Sequence, residues 1–376
     1  MNDVVGRLRT EVIEPLKRRF VGRDEVIDLI ALAAASGEHL FLHGPPGTAK
    51  SALIRQFASA VRGHYFEYLL TRFSEPNEVF GPIDLIRLRE GTVATVTTGM
   101  LPEAEFAFLD ELFNANSAIL NNLLTVLNER TYRRGAEIHS LPLLSMFAAS
   151  NHLPEDEGLR ALFDRFLLRC HIDNLRREEM PRLLAAGWEL ERSEPIESSV
   201  TAADLRGLSR RVYQVDINGI AERFAEVVWK VRDLGIGLTD RRAVKVLKLV
   251  AASALLCGRI EARVSDLWVF RYVWDREEQV APLASMIAGV VTPDSGTAGA
   301  HPMAVSPARV EPETMARHLD RIAAEIASRR PGLADAARLR EQLCDLSDRA
   351  AWLTDDRARQ HLIDRARTLL SELSQA

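Results

Sequence analysis

The spacing of apolar positions changes several times along the chain, and each change marks an element. Leu40, Phe41 and Leu42 form an unbroken apolar run that predicts a short, buried strand. Gly44, Pro45, Pro46 and Gly47 then force a turn, and Ala52, Leu53, Phe57, Ala58 and Val61 recur at helical spacing. Upstream, Val26, Ile27, Ile30 and Ala33 or Ala34 mark one face of a helix leading into that strand. Further strands are predicted at 65–70, at 106–109 and at 143–150, with a helix over 118–129 carrying Leu120, Leu123, Leu124 and Leu127 on one side. The stretch LIRLREGTVATVTTG has β-branched or alternating character on both sides of Glu90-Gly91, which favours a two-stranded insert over a helix; TYRRGAEIHSLP reads as a hairpin about Gly135.

From about 196 to 288 the pattern is purely helical. Ile220, Phe224, Val227 and Val231 share one face, and Val244, Leu247, Val250, Ala251 and Ala254 another. The small, polar stretch TPDSGTAGAHPMAVSPARVE that follows is expected to be a flexible linker. Beyond it three apolar runs (Met315, Leu319, Ile322, Ile326; Leu339, Leu343, Leu346; Leu362, Ala366, Leu369, Leu373) predict a small antiparallel helical bundle. The expected organisation is an α/β core with a parallel sheet over 1–192, an all-α domain over 193–290, the linker over 291–311 and the bundle over 312–376. Strands that are apolar throughout are what the parallel sheet of such a core requires.

Composition narrows the class. At 376 residues, 47% apolar and 27% charged, with a net charge of -5, the chain has ordinary globular character and no general attraction for nucleic acid or anionic membranes. Cys170, Cys257 and Cys344 lie far apart without paired spacing, so neither a disulfide framework nor a zinc site is indicated. The first ten residues lack a signal-peptide core and no apolar run is long enough to span a bilayer, so a cytoplasmic location is expected.

The chemistry starts in the turn. A strand, a Gly/Pro loop and a helix opened by Lys50 and Ser51 make a phosphate-binding nest, its backbone N–H groups aimed at an anion and backed by the helix N-terminus. Lys50 would reach the β- and γ-phosphates of a nucleotide, and the Ser51 hydroxyl would ligate Mg2+. The residue before Lys50 is Ala49 where such loops usually carry glycine; as a first-turn position it is expected to be right-handed, and alanine to be harmless there. The run EFAFLDE ends a strand on two carboxylates. Asp110 would hold the magnesium through its water shell, and Glu111 would orient and deprotonate an attacking water. Asn151, after the strand at 143–150, is placed to hold that water or touch the γ-phosphate, with a turn asparagine as the alternative. Of Arg160, Arg165 and Arg169, any one could stabilise transferring phosphoryl charge or form a surface ion pair; Arg165 lies beyond the strand carrying Asn151 and so would serve a neighbouring subunit. Leu238-Thr239-Asp240-Arg241-Arg242 is a helix start, from which Arg241 would close over the γ-phosphate, or in which both arginines are simply solvated.

Taken together, GPPGTAKS, FLDELFNANSAILNNLLTVLNERTYRRG, AASNHLPE, LFDRFLLR and GLTDRRAVKVLKLVAASALLCGR resemble the MoxR family of AAA+ ATPases, and within it the RavA-like branch, over roughly residues 10–290. The resemblance implies a P-loop AAA+ core with a helical lid, ATP and Mg2+ as ligands, and these roles: Gly44, Pro45, Pro46, Gly47, Thr48, Ala49, Lys50 and Ser51 as Walker A, 105–111 as Walker B with Asp110 and Glu111, Asn151 as sensor 1, Arg165 as arginine finger, Arg241 as sensor 2, and Gly22 and Arg23 beside the adenine. It also implies hexameric rings, with residues 81–99 and 131–142 lining the pore, and chaperone-like remodelling of client proteins with a partner carrying a von Willebrand factor A domain. Other classes compete: a nucleotide-dependent scaffold, a DNA-directed motor and a metal-chelatase motor subunit. The mixed charges of the two hairpins, Arg87, Arg89, Arg133 and Arg134 beside Glu90, Glu137 and His139, disfavour the DNA-directed reading.

Overall fold

A computed structural model describes residues 2–91, 93–134, 137–154, 156–291, 300–305 and 356–375, with single or paired residues between 315 and 346. A first compact unit comprises Met1–Arg276 and Val291–Val305. It opens with helices α1 (Asn2–Arg7) and α2 (Glu14–Arg19), joined through a π-helical turn at Leu8–Ile13. Helix α3 (Asp24–Ser36) leads to strand β1 (Leu40–His43), followed by α4 (Lys50–Ala60), β2 (Tyr65–Leu69), α5 (Pro76–Phe80), α6 (Leu85–Arg89), β3 (Phe106–Asp110) and α7 (Ser117–Glu129). Strands β4 (Thr131–Arg134) and β5 (Glu137–Ser140) form the expected hairpin, its turn at Gly135 lying outside the described residues. Then come β6 (Ser145–Ser150), α8 (Glu157–Phe163), β7 (Leu168–His171) and α9 (Met180–Leu190), and the helices α10 (Ala202–Arg211), α11 (Ala221–Asp233) and α12 (Asp240–Leu256).

Five strands make one parallel sheet in the order β2-β3-β6-β1-β7. Its central strands are covered on both faces, and so β1, β3 and β6 read as apolar runs rather than alternations. Phe41 meets Phe113, Phe163 and Phe166 at ring separations of 5.1–6.1 Å, which fixes the segment after β3 and the end of α8 against β1. Because all five strands run the same way, the loops after them gather at one end of the sheet, where α/β folds bind ligands.

Two predicted elements differ. Residues 85–89 are the helix α6, not a strand: the Asp84 side chain accepts hydrogen bonds from the Ile86 and Arg87 amides, a local N-cap that outcompetes strand pairing, and only an isolated bridge joins Ile83 to Thr95. The apolar face of α12 is also rotated, since Arg242, Val246, Leu249 and Val250 are buried while Val244 is exposed. Helix α12 is fastened to the start of β1: Lys245 and Lys248 each donate a 3.0 Å hydrogen bond to a different oxygen of the buried Glu38. Burial works to raise that carboxyl's pKa, and the two lysines more than offset it, holding it below the usual range.

The second compact unit comprises Glu277–Val290 and Ser306–Ala376 and includes α13 (Val280–Val290). Its described C-terminal residues bury Met315, Leu319, Ile322, Leu339, Leu343, Leu346, Leu362, Ala366, Leu369 and Leu373 in one cluster, the positions singled out from periodicity. In the first unit a short helix α14 (Pro302–Val305) follows His301; the last helix, α15, spans Asp356–Gln375 of the second. Most of the expected linker lies outside the described residues, as do residues 327–338 and 347–355 between the apolar runs of the bundle.

Candidate nucleotide site

The loop after β1 is anchored to both neighbouring strands where it leaves the sheet. The Gly44 amide donates to the Ser150 carbonyl at 3.2 Å, and the Ile172 amide donates to the His43 carbonyl at 2.7 Å. A side chain at Gly44 has no room, because a Cβ there would lie 1.9 Å from the Ile172 carbonyl oxygen, and φ is +155°. Gly47, at φ +80°, has nothing within 4 Å of where its Cβ would be, so the loop's backbone is open there. Lys50 is buried and its Nζ donates to the Gly44 and Pro45 carbonyls, both at 2.9 Å; Thr48 Oγ1 donates to the Pro45 carbonyl. Burial lowers the Lys50 pKa, Asp110 and Glu111 pull it back up, and Arg23 adds to the lowering. The lysine and the two acids of the next motif therefore share one electrostatic neighbourhood.

Ala49 is not where the helix-start reading put it. It caps α4 from outside, at φ 64° and ψ 24°, the left-handed region that glycine occupies freely and alanine does not. Glu111 is likewise left-handed, at φ 52° and ψ 47°, just after β3, and its amide donates to Asp110 Oδ1 at 3.0 Å. Strain of that kind, about 1–3 kcal/mol, concentrates where a fold must aim a side chain. The β-ladder sets the rest. Leu109 pairs with Ala148 and His43 with Ser150, so Asn151 follows directly on the strand between the loop's strand and the acids' strand. It is exposed and shares a 2.7 Å hydrogen bond with His152 Nδ1. Gly22, at φ +67°, packs against Leu175 and Glu179, and Arg23 Nε donates to the Thr48 carbonyl at 3.3 Å, which brings this pair to the loop's flank.

The remaining two arginines are elsewhere. Arg165 lies three residues before β7, and the Leu168 amide donates to the His39 carbonyl, at the end of the sheet where strands begin. The four residues of β1 separate that end from the loop by roughly 10 Å at about 3.3 Å per residue. Arg241 Nη2 donates to Asn128 Oδ1 at 3.4 Å, beside the Leu127 carbonyl that faces His39 and the Arg130 that donates to Gly37. Arg241 thus stands at the same far end and does not close over its own chain's loop, unlike the first of the two readings of this helix start; Arg242, solvated in the other reading, is buried. The three arginines around α8 also separate. Arg160 is exposed, Arg169 is buried and wholly bonded, and Arg165 has a distant contact to Asp164 at 3.9 Å and a buried Nε without a partner among the described residues. Strand β7 itself escaped the apolar pattern because Arg169 interrupts it, although LLRCHI around it is otherwise strand-like.

Residues 6–210 match the family described as the MoxR domain in the MoxR-vWA-beta-propeller ternary systems, and residues 217–287 match the AAA lid domain. The chain belongs to the MoxR family of AAA+ ATPases. Among its relatives, an uncharacterised protein of Methanocaldococcus jannaschii is 37% identical over 290 residues, 76% of this chain and 75% of that one. Chaperone MoxR1 of Mycobacterium tuberculosis is 28% identical over 162 residues, 42% of each chain. A crystal structure from Cytophaga hutchinsonii, described as a candidate ATPase, superposes with a TM-score of 0.62 at 17% identity, covering 77% of this chain and 94% of that one, and so shares the fold. The α/β core with a parallel sheet and a helical lid is the architecture this membership requires.

The residues present suit a nucleotide with magnesium. An open glycine-lined loop, a buried lysine, one hydroxyl and one carboxylate are hard-oxygen and N–H donors of the kind Mg2+ with phosphates uses, most of its shell coming from phosphate and water. Among the described residues no cluster of three or more His, Cys, Asp or Glu could hold a metal by itself, and no helix is long and apolar enough to cross a membrane.

Proposed function

We propose that this MoxR-family chain hydrolyses ATP at the boundary between copies in a ring, and uses the cycle to remodel protein partners. The observation that carries this reading is the separation just described: Lys50, Asp110, Glu111 and Asn151 gather at one end of the sheet and Arg165 and Arg241 at the other. One chain then holds half of two sites. Gly44 to Ser51 would bind the phosphates, with Lys50 on the β- and γ-groups and Gly22 and Arg23 flanking the base. Ser51 and Asp110 would hold Mg2+, which supplies charge neutralisation on the phosphates. Glu111 takes a proton from the attacking water and Asn151 orients that water. Arg165 and Arg241 of the next copy stabilise the charge on the transferring phosphoryl group, a contribution of about 10³–10⁵ in rate for such fingers.

A hexamer is the ring we favour, with residues 81–99 and 131–142 facing its pore. The family description and a relative named as a chaperone support a remodelling role and a von Willebrand factor A domain partner. A cytoplasmic setting suits both. A scaffold that merely binds ATP has no use for a strained Glu111, and that strain favours the hydrolytic reading over it.

Steady-state ATP hydrolysis per subunit, measured across protein concentration with Arg165→Ala alongside, tests the proposal. Specific activity should rise with concentration and fall at least about 100-fold in the variant. Activity independent of concentration and of Arg165 would refute a site completed by a neighbour.

A further inference from the structure

Between the two far-end arginines lies a half-buried ionic joint that nothing in the hydrolytic roles above uses. Its centre is Asp275, in the segment after the 3-10 helix Val264–Tyr272. One carboxylate oxygen, Oδ1, accepts from Arg242 Nη1 at 2.9 Å and from Arg169 Nη1; the other, Oδ2, accepts from the Gly237 amide at 2.6 Å. Each arginine reaches from Asp275 to further groups at the far end. Arg169 donates to the Phe163 and Phe166 carbonyls, both at 3.0 Å, and its guanidinium lies 3.8 Å above the Phe163 ring. Those two carbonyls bracket Asp164 and Arg165. Arg242, the residue after Arg241, donates to the Gly237 and Val273 carbonyls and pairs with Asp164 Oδ1 at 3.3 Å.

We infer that Asp275 is a positioning residue: through Arg169 it fixes the turn carrying Arg165, through Arg242 it fixes the start of α12 carrying Arg241, and so it presents both arginines to the neighbouring copy as one rigid face. This deepens the proposed function and rests on it. Both guanidiniums are buried, with Arg169 1% and Arg242 4% exposed, so each is held by planar, multiply bonded geometry and not by a mobile surface pair. Arg165 is itself only loosely held by Asp164, and its aim therefore depends on the backbone that Arg169 braces. A shift of about 1 Å in a charge-stabilising group costs on the order of 100-fold in rate.

The experiment uses mixed assemblies of full-length chains. Asp275→Asn alone should lower kcat on the order of 100-fold while KM for ATP stays within about twofold, because its own loop is untouched. Mixed with excess Lys50→Ala, whose copies bind no phosphate but keep their arginines correctly aimed, Asp275→Asn copies should recover most of their hydrolysis. A merely structural role would not be rescued by a neighbour. The pair Arg165→Ala with Lys50→Ala serves as the control for the underlying reading. Failure of that pair to complement overturns the shared site itself. If it complements while Asp275→Asn does not, or if Asp275→Asn alone is fully active, only the positioning role is overturned. Should Asp275→Asn not fold, Arg242→Lys, which keeps the charge and loses the fork, enters the same mixture and is read the same way.

Discussion

Replacing Ala49 by glycine should stabilise this protein, the reverse of what glycine does at an ordinary helix start. In the first turn of a right-handed helix the change would cost about 1 kcal/mol, since alanine is the better helix former. Ala49 instead sits at φ 64° and ψ 24°, where an L-residue with a Cβ is strained by about 1–2 kcal/mol. Glycine removes that strain and gives back about 0.4–1 kcal/mol through the larger entropy of its unfolded chain. The net is a gain of roughly 0.5–1 kcal/mol, or about 1–3 °C in Tm for a domain of this size. Valine at the same position should do the opposite, by a kcal/mol or more, because a branched Cβ is worse still in this region. The assay is thermal unfolding of the two variants beside the parent, without nucleotide, with ATP affinity measured on each. Opposite shifts for glycine and valine would support the left-handed loop. Destabilisation by Ala49→Gly, of about 1 kcal/mol, would place residue 49 in the right-handed helix and refute the left-handed loop.

The two loop glycines should differ sharply. Gly44→Ala drives a Cβ to 1.9 Å from the Ile172 carbonyl and should cost about 3 kcal/mol and abolish nucleotide binding, whereas Gly47→Ala, with open space around it, should cost about 1–2 kcal/mol; chemical denaturation and a fluorescent ATP analogue report both. His301 lies 4.6 Å from Trp268, ring to ring, and accepts from the Met303 amide; burial first, then the charges of Lys17 and Arg259, push its pKa down to about 3 from 6.5. The unfolded chain therefore binds a proton that the folded one refuses between those values, so stability should fall with pH from 6.5 towards 3 by at most about 1.4 kcal/mol per unit. His301→Phe should flatten that part of the Tm profile, and a profile unchanged by it would refute the assignment.

The sheet was largely readable because burial on both faces leaves Leu40 to Leu42 of β1 and Met146 to Ala149 of β6 as unbroken apolar runs, and the phosphate loop because Gly44, Pro45, Pro46 and Gly47 stand together between strand and helix. What escaped depended on partners remote in sequence. Arg169 in β7 is acceptable only because Asp275 and the carbonyls of Phe163, Phe166 and Trp274 receive it, and nothing local announces Asp275. Arg242 next to Arg241 looks like a second surface charge until the same carboxylate is found. The position of Arg241 follows from α12 being pinned by Glu38, a contact across more than 200 residues. Residues 85–89 depart from their alternating pattern for a local reason instead, as Asp84 supplies a cap whose effect on five residues outweighs it.

The clamp of Lys245 and Lys248 on Glu38 limits how α12 and β1 can move. Swinging α12 away from β1 would strand a buried carboxylate and two ammonium groups at once, a change far costlier than sliding one surface over another. Any motion that keeps those three charges together carries the sheet and α12 as a single lever, with its fulcrum outside the contact rather than within it.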